Sequence, residues 1–340
     1  MHMADALLSP TVGAVMWSAT AGLTAYSARK VQNQLDNKKI PLMGAVGAFV
    51  FAAQMINFAI PGTGSSGHLG GGLLLAILLG PHAAFLTLAS VLTVQALFFA
   101  DGGLLALGSN IFNLGFIPCY ICYPLIYKTV TADALDHKRV VAGSILAAVV
   151  ALQLGSLAVV LQTFFSNITA LPFTSFLLMM QPVHLVIGLV EGIATAGIVS
   201  FIWKARPEIL EDTANEELSS SLSYKKVAIV MLLIAFLSSG VFTLFSSRYP
   251  DGLEWSIENI TGSSQPEATG KVRSALEKFQ NKISILPDYA FRTKESTSAP
   301  ATTQSFHNKG TTVSGIVGGL LVLSSSILIG FLLKKTNRIF

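Results

Sequence analysis

Val140 to Phe165 reads VVAGSILAAVVALQLGSLAVVLQTFF, an apolar run that contains no Asp, Glu, Lys, Arg or His. A helix needs about 20 such residues to cross the hydrocarbon core of a bilayer, so this run is long enough to span it. Reading outward from it for further runs gives roughly nine membrane segments. They lie near Ser9–Ala28, Ile40–Ile60, Leu69–Gly80, Pro81–Ala100, Leu104–Tyr127, Val140–Phe165, Thr174–Trp203, Val227–Phe245 and Thr312–Leu333. Leu69–Gly80 is too short to cross alone at ~1.5 Å per residue, and reads as a half-span continuing from a buried loop. Composition agrees: of 340 residues, 52% are hydrophobic and 12% charged, against roughly a quarter charged in soluble domains. The expected fold class is all-α, a polytopic helical membrane protein. The two cysteines, Cys119 and Cys122, exclude a disulfide framework and a four-sulfur zinc site.

Lys and Arg set the expected orientation. With the N-terminus outside, the inner loops carry Arg29, Lys30, Lys38, Lys39, Lys128, Lys138, Arg139, Lys204, Arg206, Lys225 and Lys226, and the C-terminal tail adds Lys334, Lys335 and Arg338. The short outer segments Met1–Leu8, Pro61–His68, Asp101–Gly103 and Ser166–Phe173 carry none. The positive-inside rule then places the N-terminus outside and the C-terminus in the cytoplasm of a plasma (inner) membrane. Met1–Leu8 has no basic leading region, so a signal peptide is not expected.

An acidic, serine-rich stretch divides the chain. Residues 1–205 form a first module, 206–224 a cytoplasmic linker with Glu208, Glu211, Asp212, Glu216 and Glu217, and 225–340 a second module. In the second module two spans flank an outer segment, 246–311, within which Val272, Leu276, Phe279 and Ile283 form a helical stripe. The tract after Arg292 is rich in Ser and Thr and reads as flexible.

Two histidines fall on the outer face. His2 opens the chain, and His68 ends Gly62-Thr63-Gly64-Ser65-Ser66-Gly67-His68, which re-enters the membrane through Gly70, Gly71 and Gly72. The alternative is a tail histidine and a loop histidine with nothing in common. A second-position histidine, however, has specific chemistry. The Met1 α-amine, the amide nitrogen of residue 2 and the His2 imidazole close adjacent five- and six-membered chelate rings on one metal, and His68 would complete four nitrogens. Square-planar nitrogen sites favour Ni(II) or Cu(II).

Several motifs then resemble one family. Met1-His2-Met3-Ala4-Asp5-Ala6-Leu7-Leu8-Ser9-Pro10, Gly64-Ser65-Ser66-Gly67-His68-Leu69, Gln95–Gly103, Leu107–Asn113 and His184–Gly192 resemble the nickel/cobalt-specific S components of energy-coupling-factor (ECF) transporters, over about Met1–Trp203. Tyr249-Pro250-Asp251-Gly252-Leu253-Glu254-Trp255 looks like the small accessory subunit of the same systems. The chain thus resembles the fused form, a seven-span S component joined to a two-span accessory module. The resemblance implies a metal held by Met1, His2 and His68, with Ni(II) as the transported substrate and Co(II) the alternative. Cobalt-type members tend to carry Ser-His-Pro-Thr and His-Gly-Gly where this chain has Gly67-His68-Leu69 and Asp101-Gly102-Gly103. It also implies partners: a membrane coupling subunit and two cytoplasmic ATPase subunits.

Other polar residues are candidates for a supporting shell. Glu191 lies within an apolar span, where a carboxylate by default suggests function, and His184 shares roughly its helix face. Asp101 could orient His2, and Asn110 or Gln95 could hydrogen-bond Glu191 or His184. His82 reads as structural, His137 and His307 as solvated loop residues, and the cysteines as core packing. Gly188/Gly192 and Gly315/Gly319 are spacings of close helix packing. No phosphate loop occurs, Gly270-Lys271 lacking its upstream glycine and following hydroxyl, so ATP hydrolysis must be borrowed. The rival readings are a self-sufficient secondary metal transporter, which would carry intramembrane acidic relays and repeats, and a metal-dependent membrane enzyme, which needs an open coordination position.

Overall fold

The computed structural model describes residues 2–34, 39–132, 136–205, 209–210, 225–264, 270–292 and 303–336. The first seven helices are α1 Pro10–Gln34, α2 Ile40–Gln54, α3 Gly72–Leu79, α4 Pro81–Phe99, α5 Leu107–Thr131, α6 His137–Ser166 and α7 Phe173–Ala205. The second module adds α8 Lys225–Gly240, α9 Gly252–Thr261, α10 Lys271–Ile283 and α11 Thr303–Thr336. Proline opens α1 and α4, at Pro10 and Pro81, where its missing N–H has no helical partner to lose. Asp136 caps α6 by accepting a hydrogen bond from the Arg139 amide at 2.9 Å.

Each of the nine apolar runs contains a helix, but five helices among the described residues are long and apolar enough to cross: α4, α5, α6, α7 and Gly310–Lys334 of α11. The rest fall short for identifiable reasons. α2 and α8 have 15 and 16 residues, and α1 mixes Ser, Thr, Gln, Arg29 and Lys30 into its run. α3 has 8 residues, all buried, so it is a half-helix inside the bundle. Gly80, at φ 80°, turns the chain from α3 directly into α4.

Two features depart from an all-α expectation. Phe58–Ile60 and Ser65–Gly67 pair as an antiparallel hairpin, Phe58 opposite Gly67. Ser65–Gly67 is buried throughout, so surrounding protein covers the second strand. In addition, Phe112–Tyr127 of α5 is π-helical and contains Pro118 and Pro124. A proline ring clashes with the carbonyl four residues before it, and a wider turn relieves that clash.

Apolar side chains gain little from meeting each other in lipid, so close backbone contact carries the helix packing. Gly188 and Gly192 of α7 supply it: an added Cβ would lie 2.9 Å from Val149 Cα and 2.5 Å from Ile145 Cα of α6. The second glycine pair behaves differently. Gly315 meets Ser239 and Gly318 meets Phe51, while Gly319 faces open space. α8 and α11 pack on α2, and Ser325 of α11 bonds Ser90 of α4, Oγ to Oγ, at 2.6 Å. The stripe helix, α10, forms over Lys271–Ile283. His307 lies on α11 rather than in a loop. Of the expected linker, Ile209 and Leu210 are described and buried, and its remaining residues lie outside the described set. The tract 293–302 also lies outside it.

Candidate metal centre

The chain start is threaded into the protein. Met3, Leu7 and Leu8 are fully buried, and Asp5 beside them is buried too. Asn110 holds Met3 from both sides: its Oδ1 accepts from the Met3 amide at 2.8 Å, and its Nδ2 donates to the Met3 carbonyl at 3.2 Å. The Gly103 amide also donates to the Met3 carbonyl, at 2.9 Å, and Asp5 Oδ1 accepts from the Ala106 amide at 3.0 Å. Glycine is required in this crossing. Gly102 adopts φ 76°, and a Cβ on Gly103 would collide with Asp5. Each buried hydrogen bond stabilises by about 1 kcal/mol, and leaving its partner unpaired costs more.

The His68 loop is pinned at both ends. Upstream, the Ser66 amide donates to the Pro250 carbonyl at 2.8 Å, and Ser66 Oγ donates to the Tyr249 carbonyl at 2.7 Å. Downstream, the Gly70 and Gly71 amides donate to Glu191 Oε2 and Oε1 at 2.8 and 3.0 Å. Glu191 therefore bonds the loop backbone, not Asn110 or Gln95. A buried carboxylate is tolerable only when paired or hydrogen-bonded, and two amides meet that requirement here. Gln95 instead donates to Gln54 Oε1 at 2.8 Å, and Gln54 donates to the Gly70 carbonyl at 2.8 Å.

These two segments bring the imidazoles of His2 and His68 face to face, centroids 5.2 Å apart and planes 13° off parallel. Only 7% and 10% of their side-chain surfaces are exposed. His68 Nδ1 lies 3.1 Å from the Leu69 carbonyl, which can only accept, so Nδ1 carries the proton and Nε2 keeps its lone pair. Burial pushes the His2 pKa down to about 3 and the His68 pKa down to about 4. Both rings are neutral donors at physiological pH.

A carboxylate stands at each ring. Asp101 Oδ1 is 3.4 Å from His2 Nδ1, and Asp101 Oδ2 accepts from the Tyr289 hydroxyl at 2.5 Å. Asp251 Oδ2 is 3.9 Å from His68 Nε2. Burial raises the Asp101 pKa. Burial alone would also raise that of Asp251, but the charge of the chain's N-terminus, ahead of the Glu254 amide, holds it below the usual carboxylate range.

His184 donates from Nδ1 to the Met180 carbonyl at 2.8 Å and lines a small cavity with His68, Ile187, Asp251 and Gly252. Met1 lies outside the described residues. His82 is far away, bonded through Nδ1 to Tyr120 at 2.8 Å, and His137 is exposed at the start of α6. Cys119 and Cys122 are free and buried. Among the described residues, no three His, Cys, Asp or Glu side chains gather as a metal-holding group.

Sequence reasoning did not place Asp251, Tyr289, Gln280 or Gln54 here. Gln280 of α10 donates to the carbonyls of Ala96 and Gly102 at 2.9 and 2.7 Å, so α10 of the second module covers this end of the first. The one local signal was Asp251 followed three residues later by Glu254, the pattern of a helix capping box. It marks where α9 starts, not what α9 touches.

Residues 2–209 match the CbiM family model, described as the cobalt uptake substrate-specific transmembrane region. Residues 225–335 match the PDGLE domain model, whose name spells Pro250–Glu254. A relative from Archaeoglobus fulgidus, named as a fused nickel transport protein, NikMN, is 30% identical over 99% of both chains. The fused nickel transport protein NikMN of Rhodobacter capsulatus is 32% identical over 62% of this chain and 64% of that one. A crystal structure described as a truncated transition metal transporter superposes with a TM-score of 0.54 at 33% identity, covering 60% of this chain and 99% of that one.

Proposed function

This chain belongs to the CbiM family of metal-uptake transmembrane proteins and carries a PDGLE domain, and from that premise we propose that it captures Ni(II) at the outer membrane face for an ATP-driven ECF-type importer. It is a multi-pass membrane protein of a nickel/cobalt transport family, not an enzyme. In the proposed site the Met1 amine, the His2 amide nitrogen and imidazole, and the His68 imidazole surround one Ni(II), with Co(II) the second candidate. Asn110 and Asp101 act on the His2 side, and Glu191 and His184 on the His68 side.

The observation that carries this reading is the stacked, neutral, buried pair of His2 and His68 beside a chain start anchored at Met3. Two imidazoles alone make a weak site for a divalent ion. Nitrogen donors from the adjacent backbone complete a square plane, a geometry that suits Ni(II). Residues 1–205 serve as the substrate-binding S component and 225–340 as an accessory module, joined by the linker 206–224. The two family matches end and begin on either side of residues 210–224, which supports that division.

The absence of a phosphate loop makes borrowed ATPases the expected motor. Nickel uptake into cells should require co-expression of the coupling subunit and its two ATPases. Undiminished uptake by the chain alone would favour the secondary transporter.

Roughly nine spans with Met1 outside and Phe340 in the cytoplasm are proposed from the Lys and Arg pattern. A reporter active only in the cytoplasm, fused after Phe340, is expected to be active. A stable but inactive fusion would reverse this topology.

A further inference from the structure

The proposed metal complex has a charge problem. Ni(II) brings two positive charges, the deprotonated amide of residue 2 removes one, and the amine and both imidazoles are neutral. A single net positive charge is left where the His2 and His68 side chains are nearly sealed from water. An uncompensated buried charge costs several kcal/mol. An anion must therefore stand close by when the site is loaded.

We propose that Asp251, carried by the accessory module, is the counter-charge of the loaded metal centre. Its two oxygens are divided between two tasks. Oδ1 caps α9 by accepting from the Leu253 and Glu254 amides, each at 2.8 Å. Oδ2 faces His68 Nε2 at 3.9 Å, the nitrogen left with a lone pair for metal. Hydrogen bonds from backbone amides at a helix N-terminus favour the ionised carboxylate.

Position is fixed by contacts that have nothing to do with capping. Ser66 bridges to Asp251 in parallel register and holds the Tyr249 and Pro250 carbonyls. On the other side, Gly252 sits so close to α7 that a Cβ there would lie 2.6 Å from Val183 Cγ1 and 3.2 Å from His184 Cε1. Asp101 is the competing carboxylate, but it stands on the His2 side, with its Oδ2 already accepting from the Tyr289 hydroxyl. The accessory module thus supplies the carboxylate on the His68 side of the centre, and metal retention depends on its docking. This inference rests on the four-nitrogen reading above.

The test compares two charge-removing substitutions that both keep the capping box. Asn caps as well as Asp, and Gln can replace Glu at the third helical position. Glu254 accepts from the Asp251 amide at 3.2 Å, so Asp251→Asn and Glu254→Gln each replace a carboxyl group by an amide in the same turn. In nickel titrations of the full-length purified chain, Asp251→Asn is expected to weaken binding about 30-fold or more. Glu254→Gln should stay within about 3-fold.

Metal-free thermal unfolding reports the fold of each variant. Should Asn fail there, Asp251→Ser keeps the cap without the charge and is read in the same way. Equal losses in the 251 and 254 variants, or a larger loss in Asp101→Asn, would overturn the assignment. A wild-type chain that binds no nickel would overturn the metal site itself. Unchanged affinity in Asp251→Asn beside a binding wild type would overturn the counter-charge alone.

Discussion

His68→Ala is expected to abolish high-affinity nickel binding, while His82→Ala and His137→Ala leave it nearly intact. The loss should exceed the ~10- to 100-fold that removal of an outer-shell partner costs, because a donor atom disappears from the square plane itself. The controls are chosen by place. His82 is the second residue of α4 and Asp101 follows its end, so roughly 28 Å of helix separates them. His137 is exposed at the head of α6. Nickel titration of the three purified variants decides the matter, with metal-free melting as the control for folding. Equal losses in all three would mean that the site is misplaced.

The second large effect is expected from the chain start, where no side chain need be removed. One residue inserted between Met1 and His2 changes the chelate ring sizes, and acetylation removes the amine as a donor. Either change should eliminate nickel binding, whereas a C-terminal tag should not. Met3 and Asp5 are held by Asn110, Gly103 and Ala106, so an inserted residue cannot be absorbed by sliding the segment.

The pH dependence separates the donors further. Both imidazoles stay neutral down to about pH 4, so they add little proton competition above that. The amine and the amide must still each release a proton to coordinate. Affinity should fall as pH falls, by about two log units per pH unit where the free amine is protonated and about one where it is not. The complex should be diamagnetic, as low-spin square-planar d⁸ requires. An extended protein with unchanged affinity and pH slope would return His2 to an ordinary imidazole donor.

What the sequence determined on its own rests on signals carried by neighbouring residues. Val140–Phe165 is long and apolar enough to span a membrane whatever surrounds it, and it lies within α6. The stripe Val272, Leu276, Phe279 and Ile283 places a helix because its period is local. Gly188 and Gly192 announce a close approach, and α6 fills it.

Tertiary structure decided what holds those elements to each other. Glu191 reaches the Gly70 and Gly71 amides across some 120 residues, and Asn110 reaches Met3 across 107. Asp251 meets His68 only because Ser66 pairs with the backbone of the second module. No periodicity or spacing records such contacts. A carboxylate in an apolar run signals that it has a partner, but its partner here is backbone, and every residue has a backbone. The π-helical Phe112–Tyr127 and the hairpin at Phe58–Gly67 were hidden for a related reason. Phe112–Tyr127 is apolar enough to suit an α-helix equally well, and the strands Phe58–Ile60 and Ser65–Gly67 have three residues each, too few for a period to show.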